Sequence, residues 1–439
     1  MILAHAARAK STSNATASCS PAGLTLAGMS TIKRSPLAPA RFPRLPAVKG
    51  LHLRTARAGI KYAGRDDLLL VEFDRGTAVA GVFTRSTTAS APVQWSRQVA
   101  GTGRARAMLV NSGNANTFTG AQGMVDVKAT AAMAAKTIGC RPRDVLISST
   151  GVIGEPLPLA RFEQALPRMG RQAKKASWLQ AARAIGTTDT YPKGSTREAR
   201  IGDTTVTLCG IAKGSGMIAP DMATMLAFVF TDAKLPAPVL QALLRGGVAR
   251  SFNCITVDSD TSTSDTIVLA ATAKAGNRPP QSLAASELKD FRHALDELLT
   301  DLAIQVVCDG EGASKFITVD VTGAVSVGSA HKAALAIANS PLVKTAIAGE
   351  DANWGRVVMA VGKSGVRLDQ SRLSVAMGGV LIAHHGERAA DYDETQVFEH
   401  LKGENISVSV DLGVGRARSR VWTCDLTHEY IRINADYRT

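Results

Sequence analysis

The sequence predicts a mixed α+β fold built from layered sheets and helices. Apolar residues make up 45% of the 439 residues and charged residues 20%, which is typical of a soluble globular chain. Short β-branched apolar runs predict buried strands, and longer alanine- and leucine-rich segments predict helices. These segments do not follow the regular βαβ alternation of a doubly wound sheet, which favours the α+β class. No apolar run approaches the ~20 residues that a membrane-spanning helix needs.

The first predicted strands and helix are recognised by the glycine, proline or charged residues at their ends. Two apolar runs, 68–73 and 105–110, are bounded by glycine or charged residues and predict buried strands. The alanine-rich segment 125–138 predicts a helix, because a glycine follows it directly and a proline comes soon after. A strand over 144–148 is then expected to run into the turn-rich segment 149–154.

The same criteria predict the later elements. Helices are expected at 159–170, 174–185, 236–249, 286–305 and 330–339. Strands are expected at 203–209, 224–231, 266–273, 315–323, 405–411 and 420–425. Between residues 50 and 439 we find neither an internal repeat nor a low-complexity linker.

The net charge of +14 is concentrated at the start of the chain. Residues 1–64 hold ten Lys and Arg residues and no Asp or Glu, so the remaining residues carry only about +4. Residues 1–45 are therefore predicted to form a basic, disordered extension, with an organelle transit peptide or a true start at Met29 as alternatives. No secretory signal is recognised, and a cytoplasmic protein is expected unless the extension targets an organelle.

Several familiar site patterns are absent from the sequence. Six cysteines are spread singly, which predicts free thiols; Cys254 and Cys308 are candidate nucleophiles, although an isolated cysteine is more commonly a core residue. Gly362 lacks the upstream glycine of a phosphate-binding loop, and Ser215 lacks the first glycine of a hydrolase elbow. No metal site is expected.

One segment combines glycines, a lone lysine and the abrupt start of a predicted strand. It runs from Cys209 through Lys213 to Thr224, and alone it would be interpreted as a flexible turn. Similar short polar or glycine-rich blocks occur along the chain. They are 111–116, 149–154, 187–190, 213–224, 258–265, 310–313, 350–356 and 434–439.

With these eight blocks in this order, the sequence resembles the ornithine acetyltransferase family of arginine biosynthesis, whose bifunctional members are also glutamate N-acetyltransferases. The resemblance extends from about Pro46 to Thr439. It implies a layered αββα-like sandwich resembling amine-terminal nucleophile hydrolases but with its own topology. It also implies self-cleavage between Ala223 and Thr224, giving an alpha chain of 46–223 and a beta chain of 224–439.

Cleavage at this position is chemically sensible. A strained peptide lets the Thr224 Oγ attack the preceding carbonyl, and water then opens the resulting ester. The freed α-amine has a reference pKa near 8, so it can act as the general base for its own hydroxyl. Acetyl transfer from N2-acetyl-L-ornithine to L-glutamate through an acetyl-Thr224 intermediate would then be ping-pong chemistry.

The resemblance also assigns roles to other residues. Thr150 and Gly151 are expected to stabilise the oxyanion. The expected substrate-binding residues are Thr188, Lys213, Thr224, Glu311, Asn434 and Thr439. No cofactor is expected, acetyl-CoA is an alternative acetyl donor, and the alpha and beta chains are expected to assemble as α2β2. Without the resemblance, Thr150 and Gly151 would be interpreted as a turn. Lys213 would be interpreted as a solvated loop lysine, and Glu311 as a helix cap.

Two other classes of function are compatible with the sequence. A self-processed threonine amidohydrolase or aminopeptidase would use water as the acceptor in place of glutamate. A basic RNA-associated protein would bind through residues 1–45, with a steep dependence on salt. The aromatic content of 5% and the scattered bases of the body give little support for nucleic-acid binding.

Overall fold

The structure is a computed structural model, and it describes residues 33–172, 175–219 and 225–436. The strands in these ranges are β1 (Leu51–Ala56), β2 (Leu68–Phe73), β3 (Ala78–Phe83), β4 (Ala107–Asn114), β5 (Val145–Val152), β6 (Lys193–Ile201), β7 (Thr204–Lys213), β8 (Leu226–Thr231), β9 (Thr266–Ala271), β10 (Phe316–Ala324), β11 (Ser374–Met377), β12 (Val380–His384), β13 (Glu387–Arg388), β14 (Asn405–Asp411) and β15 (Ala417–Cys424). The helices are α1 (Ala91–Gly101), α2 (Gly120–Ile138), α3 (Leu159–Gly170), α4 (Trp178–Ile185), α5 (Ala237–Arg250), α6 (Lys289–Cys308), α7 (Val327–Ala338), α8 (Pro341–Ala348), α9 (Trp354–Lys363), α10 (Glu394–Leu401) and α11 (His428–Asp436).

These strands form three sheets. The first has the order β1-β2-β4-β5, with β4 and β5 parallel and the other pairs antiparallel. The second has the order β3-β9-β8-β7-β6, with only β8 and β9 parallel. The third has the order β13-β12-β11-β14-β10-β15, with β10 and β14 parallel.

The first two sheets pack face to face between two layers of helices. Alternating side chains of β2 show why: Leu69, Val71 and Phe73 pack against the second sheet, while Leu68 and Leu70 pack against α2 and α3. On the outer face of the second sheet, Leu208 and Val229 pack against α5 and α6. The order of layers is helix, sheet, sheet, helix, which confirms the predicted α+β sandwich.

The third sheet has a hydrophobic core of its own. Residues of β10, β11, β14 and β15 pack against α7, α9 and α10 in this core. The sequence predicted β10, β14, β15 and most of α7 but not the elements between α7 and β14. Those strands are short, and only three of the ten residues of α9 and two of the four residues of β11 are buried, so their apolar pattern is weak.

Most elements predicted from the sequence are present with small shifts in their ends. The 68–73 strand and the 159–170 helix have the predicted bounds. The predicted helix 174–185 begins at Trp178, because Ser177 caps it in a capping box with Gln180. Prediction missed β1, β3 and β6, whose exposed or partly buried positions interrupt the apolar runs. It also missed α1, α8, α9, α10 and α11.

The chain packs on the sandwich from Lys33 onward, whereas composition predicted a boundary near position 46. The Ser35 amide donates to Thr190 Oγ1 at 2.9 Å, and Trp178 Nε1 donates to the Pro46 carbonyl at 2.8 Å. Phe42 contacts the backbone of Gly194, where no side chain intervenes. Among the described helices, none is both long and apolar enough to cross a membrane.

Candidate active site

The candidate site lies where the two sheets of the sandwich meet at one end. Lys213 is the last residue of β7 and pairs with Leu226, the first residue of β8. Thr150 and Gly151 lie near the end of β5 in the other sheet. Lys213 Nζ donates to Thr150 Oγ1 at 3.4 Å, so this contact joins the two sheets at the site.

Six of the predicted site residues line one cavity of about 90 Å³. They are Thr150, Gly151, Thr188, Lys213, Glu311 and Asn434. They come from β5, β7, α11 and two loops that are far apart in the sequence. The other predicted positions, Ala223, Thr224 and Thr439, lie outside the described residues. The lining residue Lys213 pairs with Leu226, which follows Thr224 by two residues in the sequence.

Lys213 is the central charged group of the cavity. Its side chain is buried, with 3% exposure, and burial lowers its pKa below the ordinary lysine value. The negative charges of Asp189, Glu311 and Asp265 oppose this shift, while the positive charge of Lys193 reinforces it. Lys213 is therefore a desolvated ammonium group that an incoming carboxylate can pair with in a low-dielectric cavity.

Glu311 contacts the glycine-rich turn that follows Lys213 and joins three segments of the chain. Its amide donates to the Ser215 carbonyl at 2.9 Å, and its Oε2 accepts from Asn434 Nδ2 at 2.9 Å. The hydroxyls of Ser215 and Thr188 are 2.6 Å apart. Burial raises the pKa of Glu311, and the hydrogen bonds from Asn434 and Thr188 oppose that shift.

Gly151 has a backbone conformation that favours glycine. Its φ is +132°, and a Cβ atom there would overlap the backbone of Gly113 on the neighbouring strand. Thr150 and Gly151 both line the cavity. Because Lys213 donates to Thr150 Oγ1, the hydroxyl's own proton remains available for a substrate oxygen.

Gly151→Ala is expected to destabilise the chain by about 1–3 kcal/mol, because it combines a strained φ with a backbone overlap. Thermal unfolding of the variant measures this loss. As a matched control, Gly154→Ala places a Cβ at another positive φ (+84°), but with open space around it. A Gly151→Ala variant no less stable than Gly154→Ala would contradict the steric account.

Comparison with known proteins identifies the family. The family model for the ArgJ family matches residues 52–439. The chain belongs to the ArgJ family. The arginine biosynthesis bifunctional protein ArgJ of Brucella suis is 55% identical over 408 residues, which cover 92% of this chain and 99% of that protein. The protein of the same name from Agrobacterium fabrum is 54% identical with the same coverage.

A solved structure of ArgJ from Bacillus halodurans is 40% identical, covers 47% of this chain and 96% of that chain, and superposes with a TM-score of 0.45. Family membership makes this chain an enzyme of arginine biosynthesis.

Next to the cavity residues Thr188 and Lys213, this ArgJ-family chain carries a buried cluster of charged side chains that the sequence did not predict. Lys193 Nζ lies 2.6 Å from Asp189 and 2.5 Å from Asp309, and all three groups are buried. Asp189 also accepts the Gly214 amide at 2.7 Å. The Lys193 charge lowers the pKa of Asp189, whereas burial raises that of Asp309 to about 6. The cluster connects the loops that carry Thr188, Lys213 and Glu311.

A half-buried carboxylate, Asp258, supports the turn before Pro220. Asp258 accepts the amides of Met217 at 2.6 Å and Ile218 at 2.9 Å, and the Tyr430 hydroxyl lies 3.2 Å from its Oδ2. Met217 has a φ of +55°, which the two hydrogen bonds stabilise. Tyr430 belongs to α11, so Asp258 connects this turn to the helix that carries Asn434. Segment 258–265 was recognised as a block, but nothing in its sequence indicated these partners.

The other candidate groups do not reach the cavity. Burial raises the pKa of Cys254 to about 11 and that of Cys308 to about 12, so neither thiol is an activated nucleophile. Gly362 lies near the end of α9 and not in a strand-to-helix loop. Among the described residues, no group of His, Cys, Asp and Glu side chains could hold a metal ion.

Proposed function

We propose that the protein transfers the acetyl group of N2-acetyl-L-ornithine to L-glutamate through an acetyl ester on Thr224. The observation that carries this proposal is the convergence of Lys213, Glu311, Thr150 and Gly151 on one small cavity, where Lys213 pairs with Leu226, two residues after Thr224. Such a cavity supplies a cation for a carboxylate, an anion for an amine, and two donors for an oxyanion. These are the three features that acetyl exchange between two amino acids needs.

The nucleophile of this proposal is made by scission of the chain between Ala223 and Thr224. The Thr224 hydroxyl attacks the Ala223 carbonyl, the peptide nitrogen leaves with a proton, and water hydrolyses the ester. During acetylation the new α-amine takes the hydroxyl proton and gives it to the leaving amine of ornithine. During transfer to glutamate it takes a proton from the attacking glutamate amine and gives it to the leaving Thr224 Oγ. Hydroxyl and base thus belong to one residue.

The oxyanion of each tetrahedral intermediate is assigned to the Gly151 amide and the Thr150 hydroxyl. Preorganised donors of this kind contribute about 2.7–4 kcal/mol each to transition-state stabilisation. The Lys213 ammonium next to Thr150 adds positive charge on the same side of the cavity. The same donors serve both half-reactions, because both intermediates place negative charge on the acetyl oxygen.

Substrate recognition follows from the remaining groups. Both amino acids carry an α-carboxylate, which Lys213 would pair with, whereas Glu311 would receive the cationic group of ornithine. When glutamate replaces ornithine, the Asn434 amide that now donates to Glu311 can serve a second carboxylate. Acetyl-CoA as a donor and an α2β2 assembly belong to the same proposal.

The role of Lys213 predicts a pH dependence of substrate binding. Because burial lowers its pKa, a fraction of Lys213 loses its charge at alkaline pH below the ordinary value of about 10.4. We expect KM for both amino acids to rise as pH increases through this range, with a smaller change in kcat. Lys213→Met should raise KM and remove this dependence. A Lys213→Met enzyme with unchanged KM for both substrates would contradict the assignment.

The proposal is tested by measuring ornithine release and N-acetylglutamate formation in the same reaction. Equal amounts of the two products, with no acetate, are expected. Acetate released in place of N-acetylglutamate would support a threonine amidohydrolase. Replacing acetylornithine with acetyl-CoA in the same assay shows whether both donors are used.

A further inference from the structure

A second concave surface of the sandwich is lined by arginines that the proposed mechanism does not use. Two surface cavities, of about 540 and 320 Å³, adjoin each other, because Arg57 and Asp66 line both of them. We call the two cavities together the arginine groove. Its arginines are Arg57, Arg65, Arg161, Arg168 and Arg183. The groove is much larger than the cavity of about 90 Å³ that holds Lys213, which we call the active-site cavity.

Three of these arginines point free donors at the solvent. Arg161 and Arg168 lie on α3, seven positions and therefore about two turns apart on one side of the helix, and Arg183 lies on α4. All three side chains are exposed. None of them makes a hydrogen bond or an ion pair with the residues that the structure describes. Their guanidinium groups can therefore donate to a ligand without breaking an existing contact.

The acidic side chains of the groove leave most of this positive charge uncompensated. Asp66 accepts from the Thr55 hydroxyl at 2.8 Å and lies 3.7 Å from Arg57 Nε. Asp189 also lines the groove, but it is already paired with Lys193 at 2.6 Å. Asp66 is thus the carboxylate of the groove that remains to balance its arginines, and the groove attracts anions.

Arg65 connects the groove to the active-site cavity. Its guanidinium carbon lies 4.3 Å from the centroid of the Tyr62 ring, and Nη2 donates to the Ser112 hydroxyl at 3.3 Å and to the Gly186 carbonyl. Gly186 lines the groove, whereas the next residue, Thr187, lines the active-site cavity. Consecutive Cα atoms are about 3.8 Å apart, so one segment of chain separates the two spaces.

The chemistry of the groove fits a ligand that carries several phosphate groups. A guanidinium group pairs with phosphate through two parallel N–H···O bonds, which provide both charge and geometry. The amino-acid substrates carry carboxylates, for which the active-site cavity already holds Lys213. Acetyl-CoA, the alternative acetyl donor, differs from them because it carries a diphosphate and a 3′-phosphate at the end remote from its acetyl group.

We propose that the arginine groove binds the phosphate groups of acetyl-CoA, while the pantetheine arm passes over Gly186 and Thr187 into the active-site cavity. This inference rests on the proposed use of acetyl-CoA as a donor. No bond is made or broken in the groove, which contributes binding alone. Acetylornithine occupies the active-site cavity without reaching the groove, so substitutions in the groove affect the two donors differently.

Two variants test this assignment: the double variant Arg161→Gln/Arg168→Gln and the single variant Arg183→Gln. Glutamine keeps a long polar side chain but removes the charge. We expect KM for acetyl-CoA to rise about tenfold or more in the double variant, because hydrogen bonds to charged groups contribute on this scale. KM for N2-acetyl-L-ornithine should not change. Calorimetry with CoA measures binding independently of activity, and inorganic pyrophosphate is titrated in parallel.

Arg245→Gln is the matched control. Arg245 is also exposed and lies on α5, which packs on the outer face of the second sheet and does not line the groove. The substitution removes the same charge as Arg183→Gln. CoA affinity and both KM values should stay at the wild-type level. Thermal unfolding of every variant measures folding separately, and Arg183→Gln decides the result if the double variant does not fold.

The outcomes separate this inference from the function on which it rests. Equal CoA affinity in the wild type and in all groove variants would refute the groove as the phosphate site. Pyrophosphate that binds in the groove as tightly as CoA would make it a site for a free anion and overturn the CoA assignment. A wild type that transfers acetyl from acetylornithine but neither uses acetyl-CoA nor binds CoA would refute the inference and leave acetyl exchange intact. A wild type inactive with both donors would refute the proposed function, and CoA calorimetry would still decide for or against the groove.

Discussion

Thr224→Ala is expected to yield one uncut chain of 439 residues without acetyl-transfer activity. The substitution removes the hydroxyl that both attacks the Ala223 carbonyl and carries the acetyl group. Loss of a catalytic nucleophile lowers kcat by on the order of 10⁶ in a well-studied hydrolase, and a loss of that size is expected here. Denaturing mass spectrometry reports cleavage, and ornithine release reports activity.

Thr224→Ser is the control for this variant, because it keeps the hydroxyl and the future α-amine. Serine lacks the methyl group that restricts χ1, so slower processing and a lower kcat are expected, but not their loss. Efficient cleavage of Thr224→Ala at the same bond would refute self-processing by this residue. Activity in an uncut Thr224→Ala chain would require another nucleophile.

Lys193→Met is expected to lower the free energy of unfolding by about 3–5 kcal/mol, because it leaves two buried carboxylates without their cation. Asp189 and Asp309 lie 2.6 and 2.5 Å from Lys193, and their side chains are only 7% and 0% exposed. Because these loops carry Thr188 and Glu311, weaker substrate binding should accompany the loss. Denaturant unfolding and KM measure the two effects.

Lys402→Met is a control with the same pair distance and a different environment. Lys402 Nζ lies 2.6 Å from Glu399, but both side chains are about half exposed. Exposed ion pairs contribute about 0–1 kcal/mol, so little change in stability is expected. Equal losses in Lys193→Met and Lys402→Met would show that burial of the cluster is not what makes Lys193 important.

The sandwich was largely predictable because most of its strands are buried on both faces. β2, β4, β8 and β9 contain continuous apolar runs, which stand out in the sequence. β6 is partly exposed and rich in charge, so its local pattern resembled a loop. Its place in the sheet is determined by pairing with β7, a contact that sequence periodicity alone does not reveal.

Less of the candidate site than of the sandwich could be predicted from local sequence patterns. Lys213 and Thr150 were named from a family resemblance, whereas their local sequence indicated only turns. The buried charged partners of the site were missed because they are neighbours only in the folded chain. Asp309, for example, follows α6 and lies far from Lys193 in the sequence, yet the two side chains are in contact. Asp265 was within a recognised block, but only the structure relates its carboxylate to the Met225 amide.

The most direct test of the account is the intact mass of the protein after mixing with N2-acetyl-L-ornithine alone and quenching with acid. We predict two chains, with the second beginning Thr-Met-Leu-Ala-Phe and ending at Thr439, and one acetyl group on the Thr224 Oγ. Addition of glutamate before the quench should remove that acetyl group. A single uncut chain that still transfers acetyl, or an acetyl group on another residue, would contradict the account.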